Sequence, residues 1–130
     1  AFRNTSLTTV IIPNTVTSIG NGAFENCTDI TDISFEAGST LVSIGLFAFE
    51  FTRFTTIVLP DSLESIGNQV FAYNSYLTTI IIPIGVTTMG SDVFKSCTSL
   101  SINVEAPSLP ATWNTSWNVD GLPVTWGYVE

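Results

Sequence analysis

The sequence predicts a solenoid, a fold in which copies of one short unit stack along an axis. One apolar pattern recurs with a spacing of 23 residues, as between Leu7 and Ile30 and between Phe54 and Leu77. Each copy holds a run in which apolar, mostly β-branched residues recur at every second position, which is typical of a short strand. In three copies a proline ends this run, because proline has no N–H for a β-ladder. A fixed period of this length indicates units that bury one another.

The repeat register divides the chain into units of similar length. Residues 1–6 match the end of a unit, since Ala1-Phe2 corresponds to Ala23-Phe24, and we expect the chain to be a piece of a longer protein. One unit has a two-residue insertion around Gly38-Ser39 and lacks one residue after Phe49. The predicted segments are 1–6 (tail of a truncated unit), 7–29, 30–53, 54–76, 77–99, a partial unit 100–105, and an end segment 106–130.

Each unit also has a recurring glycine and a recurring phenylalanine. The glycine predicts a turn with positive φ or a close backbone contact. The phenylalanine predicts one column of the core. These positions are Gly20, Gly45, Gly67 and Gly90 for glycine, and Phe24, Phe49, Phe71 and Phe94 for phenylalanine.

The two cysteines, Cys27 and Cys97, occupy the same position in units that are three steps apart. At about 4.8 Å per parallel strand they would lie roughly 14 Å apart. A disulfide needs Cα atoms within about 7 Å. We therefore interpret both as small buried side chains.

The end segment 106–130 leaves the repeat pattern and contains Trp113, Trp117 and Trp126. A solenoid needs its last core layer covered, so these residues predict a Trp-rich C-terminal cap. Residues 124–128 predict one more short strand. Stacking of the indole rings on sugars is the alternative interpretation.

Composition excludes several classes of partner. The chain has 3 basic and 11 acidic residues, for a net charge of -8, so no basic stripe is available for nucleic acid or an anionic membrane. No apolar run reaches the ~18 residues of a membrane helix, and we expect no membrane insertion by this stretch.

The sequence offers little for catalysis or metal binding, since it has no histidine. Carboxylate pairs such as Asp61 with Glu64 could act as acid and base, but a solvated acidic edge is the simpler interpretation. Asp29, Asp32 and Glu36 could hold calcium only loosely. We expect no enzymatic activity, no metal and no cofactor.

The pattern L-x-x-I-x-I-P-x-x-V-x-x-I-G-x-x-A-F-x-x-C resembles the BspA-like leucine-rich-repeat family over residues 1–105. The resemblance implies a right-handed, curved leucine-rich-repeat solenoid with a parallel β-sheet on its concave face and little α-helix. It also implies a secreted or surface-anchored protein, since several members are adhesins that contact host proteins or other cells. The matching residues of the first unit are Leu7, Val10, Ile12, Pro13, Val16, Ile19, Gly20, Ala23, Phe24 and Cys27.

The strand face is the predicted binding surface. If Val10 and Ile12 point into the core, Thr9 and Ile11 point outward on the concave side. Aligned exposed apolar residues often mark a binding surface, although strand propensity alone also favours β-branched residues there. The candidate site residues are Thr9, Ile11, Asp32, Ser34, Thr56, Val58, Thr79 and Ile81.

Together these features predict a non-enzymatic protein-binding or adhesion module. The expected partner is a surface protein of a host or a neighbouring cell. The alternatives are a structural spacer or display stalk, and a carbohydrate-binding module that uses the Trp cluster. The strand near residues 9–12 is also a possible sheet edge through which copies of the chain could self-associate.

Overall fold

Ten short strands follow one another, and each of the first four units contributes two of them. The structure, a computed structural model, describes residues 8–129, and this part of the chain contains no helix. The predicted tail 1–6 and Leu7 lie outside the described residues. The strands are β1 (Thr9–Ile12), β2 (Ser18–Ile19), β3 (Asp32–Phe35), β4 (Ser43–Ile44), β5 (Thr56–Val58), β6 (Ser65–Ile66), β7 (Thr79–Ile82), β8 (Thr88–Met89), β9 (Ser101–Val104) and β10 (Val124–Trp126).

The longer strands form the first side of the solenoid, and every pairing between them is parallel. β1 pairs with β3, and a second sheet has the order β10-β9-β7-β5. Equivalent residues of successive units lie opposite each other, as Ile57 does with Ile80 and Ile80 with Ile102. The predicted parallel solenoid is thereby confirmed. Only β3 is a described neighbour of β1, so self-association through the other edge stays a prediction.

Two-residue strands form the second side, with the order β2-β4-β6-β8. Their inward residues Ile19, Ile44 and Ile66 are buried. The repeat pattern has an apolar position here, as Ile19 shows in the first unit, but it does not predict a second sheet, because two residues are too few to show an alternating pattern.

The recurring glycine follows this second sheet, where neighbouring units approach closely. None of the four described glycines at this position has positive φ. A Cβ atom on Gly90 would lie 2.5 Å from the backbone N of Asn68 and 2.6 Å from the carbonyl carbon of Gly67. Of the two predicted reasons for glycine, close backbone contact is therefore the correct one.

The third side consists of successive turns, and hydrogen bonds join the turns of neighbouring units. The N–H of Phe24 donates to the carbonyl of Ala48 at 2.8 Å, and the N–H of Phe49 donates to that of Val70 at 3.0 Å. These bonds hold the recurring phenylalanines in line.

The phenylalanines form one stacked column through the core. The ring centroids of Phe24 and Phe49 are 5.3 Å apart, and those of Phe49, Phe71 and Phe94 follow at steps of 5.7 Å, with the rings nearly parallel. Trp117 meets Phe94 edge-on at 6.3 Å. Offset or edge-on aromatic contacts of this kind stabilise a core beyond the area that they bury.

The tryptophans cover the last layer. Trp113 and Trp117 are each only 5% exposed, and the indole Nε1–H of Trp113 donates to the carbonyl of Val86 at 3.0 Å. Trp126 lies on β10, which pairs with β9 inside the predicted stretch 124–128. Burial of the rings and a hydrogen bond from the indole are what a covering role requires.

The position of Cys27 and Cys97 is buried in each unit where the structure describes it, and in one unit it is occupied by Asn74. The Cys97 thiol contacts the carbonyl of Phe71 at 3.0 Å. Burial raises the pKa of this thiol to about 11, so it stays protonated near neutral pH and is a poor nucleophile.

Asn74 connects three backbone groups at this buried position. Its side-chain Nδ2 donates to the carbonyls of Phe49 at 2.8 Å and Phe71 at 2.7 Å, and its Oδ1 accepts from the N–H of Thr52 at 2.9 Å. Thr52 and Asn74 are the buried polar residues of the described chain, and no buried side-chain polar atom there lacks a partner. Asn74 thus joins two units where one residue is missing after Phe49.

The turns also place two acidic side chains, Glu25 and Glu50, next to each other. Partial burial and the neighbouring Glu25 carboxylate raise the pKa of Glu50 above its ordinary value of 4.5. The folded protein therefore binds this proton more tightly than the unfolded chain does.

Gly90→Ala is expected to lower the free energy of unfolding by about 1–3 kcal/mol, because the added methyl group displaces the backbone at Asn68 and Gly67. The matched control is Gly20→Ala, since no described atom lies within 4 Å of a Cβ there. Urea denaturation measures both, and equal losses in the two variants would contradict the contact argument.

Asn74→Ala is expected to cost about 1–3 kcal/mol, since it leaves the buried N–H of Thr52 without a partner and removes one hydrogen bond each from the carbonyls of Phe49 and Phe71. Asn74→Cys is expected to cost less, because a thiol at this position can keep the contact to Phe49 that Cys97 makes to Phe71. The same denaturation experiment ranks the two variants, and a neutral Asn74→Ala would rule out the network.

Glu50→Gln is expected to change the pH dependence of stability. Because the pKa of Glu50 is raised in the folded state, its stabilising contribution is complete below the ordinary pKa of 4.5. This contribution is lost as pH rises through the folded value. The variant should match the parent at pH 4 and exceed its unfolding free energy at pH 7. Glu64→Gln, on an exposed carboxylate of the second side, is the control and should show no such gain.

Candidate functional site

All eight predicted site residues lie on the outward face of the longer strands. Seven of them are exposed and Ile81 is half-buried. The most exposed apolar members are Val58, at 72%, and Ile11, at 64%. Alternation along a strand accounts for this, because the neighbouring residues Ile12 and Ile57 point into the core.

The strand register groups these residues into columns. Ile11 lies opposite Ser34 on the β1–β3 pair, and Val58 lies opposite Ile81 on the β5–β7 pair. Thr9 is likewise paired with Asp32, and Thr56 with Thr79. The structure therefore brings the predicted residues together within each pair of strands.

The ladder is interrupted between β3 and β5. At the β1–β3, β5–β7 and β7–β9 junctions, the backbone carbonyl of the residue before the first strand accepts a hydrogen bond from the next unit. The carbonyl of Thr55, for example, accepts from the N–H of Thr78 at 2.9 Å. Within the described residues, no ladder hydrogen bond joins β3 to β5. We call this boundary the seam.

The missing residue after Phe49 explains the seam. It shortens the path by which the chain enters β5, so the backbone N–H of Arg53 donates to Ile30 at 3.3 Å and the following residues do not reach the ladder of β3. The insertion in the preceding unit lies beside the same boundary, after β3. Both length changes of that unit thus act at one place.

A groove with a volume of about 500 Å³ lies over the seam. Four predicted site residues line it, namely Ser34, Thr56, Val58 and Ile81. The remaining lining was not predicted as part of a binding surface, and it comes from β3 and β5, from the inserted loop and from the residues that follow β5, β7 and β9. Among these residues are Phe35, Glu36, Gly38, Asp61, Ser62 and Glu105, of which Glu36 and Asp61 were considered only for calcium binding and acid–base chemistry.

Polar contacts fix the inserted loop as one wall of the groove. The Asn14 side chain donates through Nδ2 to the carbonyl of Ala37 at 3.1 Å, and the Thr40 hydroxyl donates to the carbonyl of Asn14 at 2.7 Å. On the other side, the Ser62 hydroxyl donates to the carbonyl of Leu41 at 2.6 Å. These contacts give the wall a defined position without a ladder.

Three carboxylates, those of Glu36, Asp61 and Glu105, belong to the groove, and no Lys or Arg is found in the described lining. Glu36 accepts from the N–H of Asn14 at 3.0 Å, and Glu105 accepts from that of Ile84 at 2.9 Å, in each case through Oε1. These glutamates stand where three other units have proline, which is the sequence signal that could have identified them. The groove is therefore apolar with an acidic edge.

A second exposed cluster lies on the third side. Phe51 and Tyr73 stack with ring centroids 5.5 Å apart, and the Arg53 guanidinium lies 5.4 Å from the ring centre of Tyr76. Phe51 and Tyr73 both have positive φ, of 60° and 62°, which costs roughly 1–2 kcal/mol for a residue with a Cβ. The sequence analysis missed this cluster.

The described residues offer no metal centre, since no group of three or more His, Cys, Asp and Glu residues could hold an ion there. Two of the three tryptophans proposed for sugar stacking, Trp113 and Trp117, are buried in the core. They cannot present their faces to a glycan.

Comparison with known proteins shows the same repeat. The family described as "BspA type Leucine rich repeat region" matches residues 1–114 in six copies. No curated protein matches the chain. Nor does the described part of the chain contain a helix that is long and apolar enough to cross a membrane.

Two solved structures are similar to the chain. The pneumococcal vaccine antigen PcpA is 28% identical with a TM-score of 0.62, and the match covers 75% of this chain and 30% of PcpA. A leucine-rich cell surface protein from Faecalibacterium prausnitzii is 26% identical with a TM-score of 0.41, and the match covers 83% of this chain and 41% of that one. The matched stretch therefore spans less than a third of the length of PcpA.

The family match extends over most of the chain, and the parallel stack of units agrees with it. Leucine-rich repeats of this kind are generally non-enzymatic and suit protein binding. The chain belongs to the BspA-type leucine-rich-repeat family.

Proposed function

We propose that this chain is a non-enzymatic protein-binding module of a secreted or cell-surface protein. Its partner is a surface protein of a host or a neighbouring cell, and it binds through the outward face of the longer strands. The observation that carries the proposal is the exposure of Ile11 and Val58 on the outward face of strands.

Folding alone does not explain why these apolar side chains are exposed, because an exposed apolar side chain contributes no free energy of burial. A threonine or serine suits an outward strand position equally well, as Ser34 shows opposite Ile11 and Thr56 shows on the same strand as Val58. Large apolar side chains aligned on an open face are typical of interaction surfaces. The half-buried Ile81 extends the apolar surface next to Val58.

The extracellular location rests on family and likeness. The resemblance to this family implies a secreted or surface protein, and the similar solved structure is described as a vaccine antigen. The match covers only 30% of that relative. An adhesive role of the whole protein is therefore part of the proposal.

The double substitution Ile11→Glu with Val58→Glu is expected to abolish capture of the partner, because two charges would be placed in the apolar columns. The measurement is affinity capture from extracellular-matrix and cell-surface extracts, with mass spectrometry of what the parent retains. Circular dichroism and thermal unfolding check that the variant keeps its fold.

The matched control is Val42→Glu with Val119→Glu, two exposed apolar residues outside this face, which adds the same charge. The control should capture the partner as the parent does. Equal capture by all three proteins would place the site elsewhere, and no capture by any of them would favour a spacer.

A further inference from the structure

We propose that the groove over the seam receives an extended segment of a partner protein that carries lysine or arginine side chains. The inference rests on the proposed function and deepens it, because it names the chemistry of the partner. Three features of the groove support it, namely its shape, its apolar floor and its charge.

The shape of the groove suits a short stretch of polypeptide. A volume of about 500 Å³ lies within the ~300–1,000 Å³ of typical ligand pockets. The groove is open along the seam, where β3 and β5 lie side by side without a ladder between them. At the other described junctions on this side, a parallel ladder joins the neighbouring strands.

The floor of the groove is apolar. Val58 is 72% exposed, and the lining continues through Ile81, Pro60 and Pro83. An extended segment places alternate side chains on one face at about 6.6–6.8 Å. Apolar side chains of the segment can therefore contact this floor while intervening ones reach the edge.

The charge of the groove selects a cationic partner. Glu36, Asp61 and Glu105 contribute carboxylates, and the described lining supplies no cation to neutralise them. Glu36 and Glu105 each use Oε1 for a backbone N–H, which holds the carboxylate in place and leaves its second oxygen for a ligand. Charged hydrogen bonds to lysine or arginine are the complement of such an edge.

A protein segment fits these features better than a small polyamine does. A polyamine would satisfy the carboxylates but has no branched apolar side chains for Val58 and Ile81. The combination of an apolar floor and an acidic edge matches an extended peptide that carries both apolar and basic side chains.

The probe is a fluorescent peptide of alternating lysine and valine, and anisotropy measures its affinity for the whole chain. A peptide of alternating glutamate and valine should not bind. Asp61→Lys is expected to weaken binding of the lysine peptide at least tenfold. Glu64→Lys, three residues away on an exposed carboxylate outside the groove, adds the same charge and should change the affinity less than threefold.

Asp61→Asn is a milder second variant, which keeps the test valid if the lysine perturbs folding. It should weaken binding about threefold or more. Backbone amide shifts in NMR spectra should concentrate at Ser34, Val58 and Ser62 when the peptide is added. Equal weakening by Asp61→Lys and Glu64→Lys, or shifts spread over the whole acidic surface, would overturn the inference.

Spermine tests the alternative occupant, and binding as tight as that of the peptide would also overturn the inference. Failure of the peptide to bind, together with loss of the captured partner in the Ile11→Glu and Val58→Glu double variant, would leave the proposed function intact and reject only the basic segment. Groove-specific peptide binding without any captured partner would support the groove and count against the broader strand face.

Discussion

The structure depends on one constraint, which is that equivalent residues of successive units must lie directly above one another. Parallel pairing sets the spacing between layers, and the column of Phe24, Phe49, Phe71 and Phe94 follows it with ring distances of 5.3–5.7 Å. The same spacing leaves no room for a Cβ at Gly90. The size and shape of a residue are therefore constrained by the residue at the same position of the next unit. Each unit is stable only as part of the stack.

The unit that departs from the common length shows how such a stack tolerates change. The loss of one residue after Phe49 interrupts a ladder on the first side, while the second sheet continues through β4 and β6 without a break. Asn74 compensates inside, because its amide bonds the backbone of Phe49, Phe71 and Thr52 where other units place a cysteine. The defect is thus confined to the surface, where it produces the groove. A departure from a local rule that is stabilised elsewhere is a common feature of functional sites.

The columns of the strand face could be predicted because alternation along a strand has a strict period of two. Once Val10 and Ile12 were assigned to the core, the outward direction of Ile11 followed, and the repeat carried the assignment to Val58 and Ile81. The acidic edge could not be predicted in this way. Glu36 and Glu105 come from units that are not adjacent, and Asp61 follows a different strand. Their common position depends on how the chain turns after each strand.

The sequence by itself determined the family, the parallel stack and the residues that fill its core, because these follow from a short pattern that is repeated in register. Only the tertiary structure decided which side chains share the groove, where the ladder breaks, and that Trp113 and Trp117 are buried and not exposed. The physical reason is the range of the interactions. Strand direction and core columns are set by residues close in the sequence and by the repeat. The seam results from a small difference in unit length, which affects the ladder only when two units pack together.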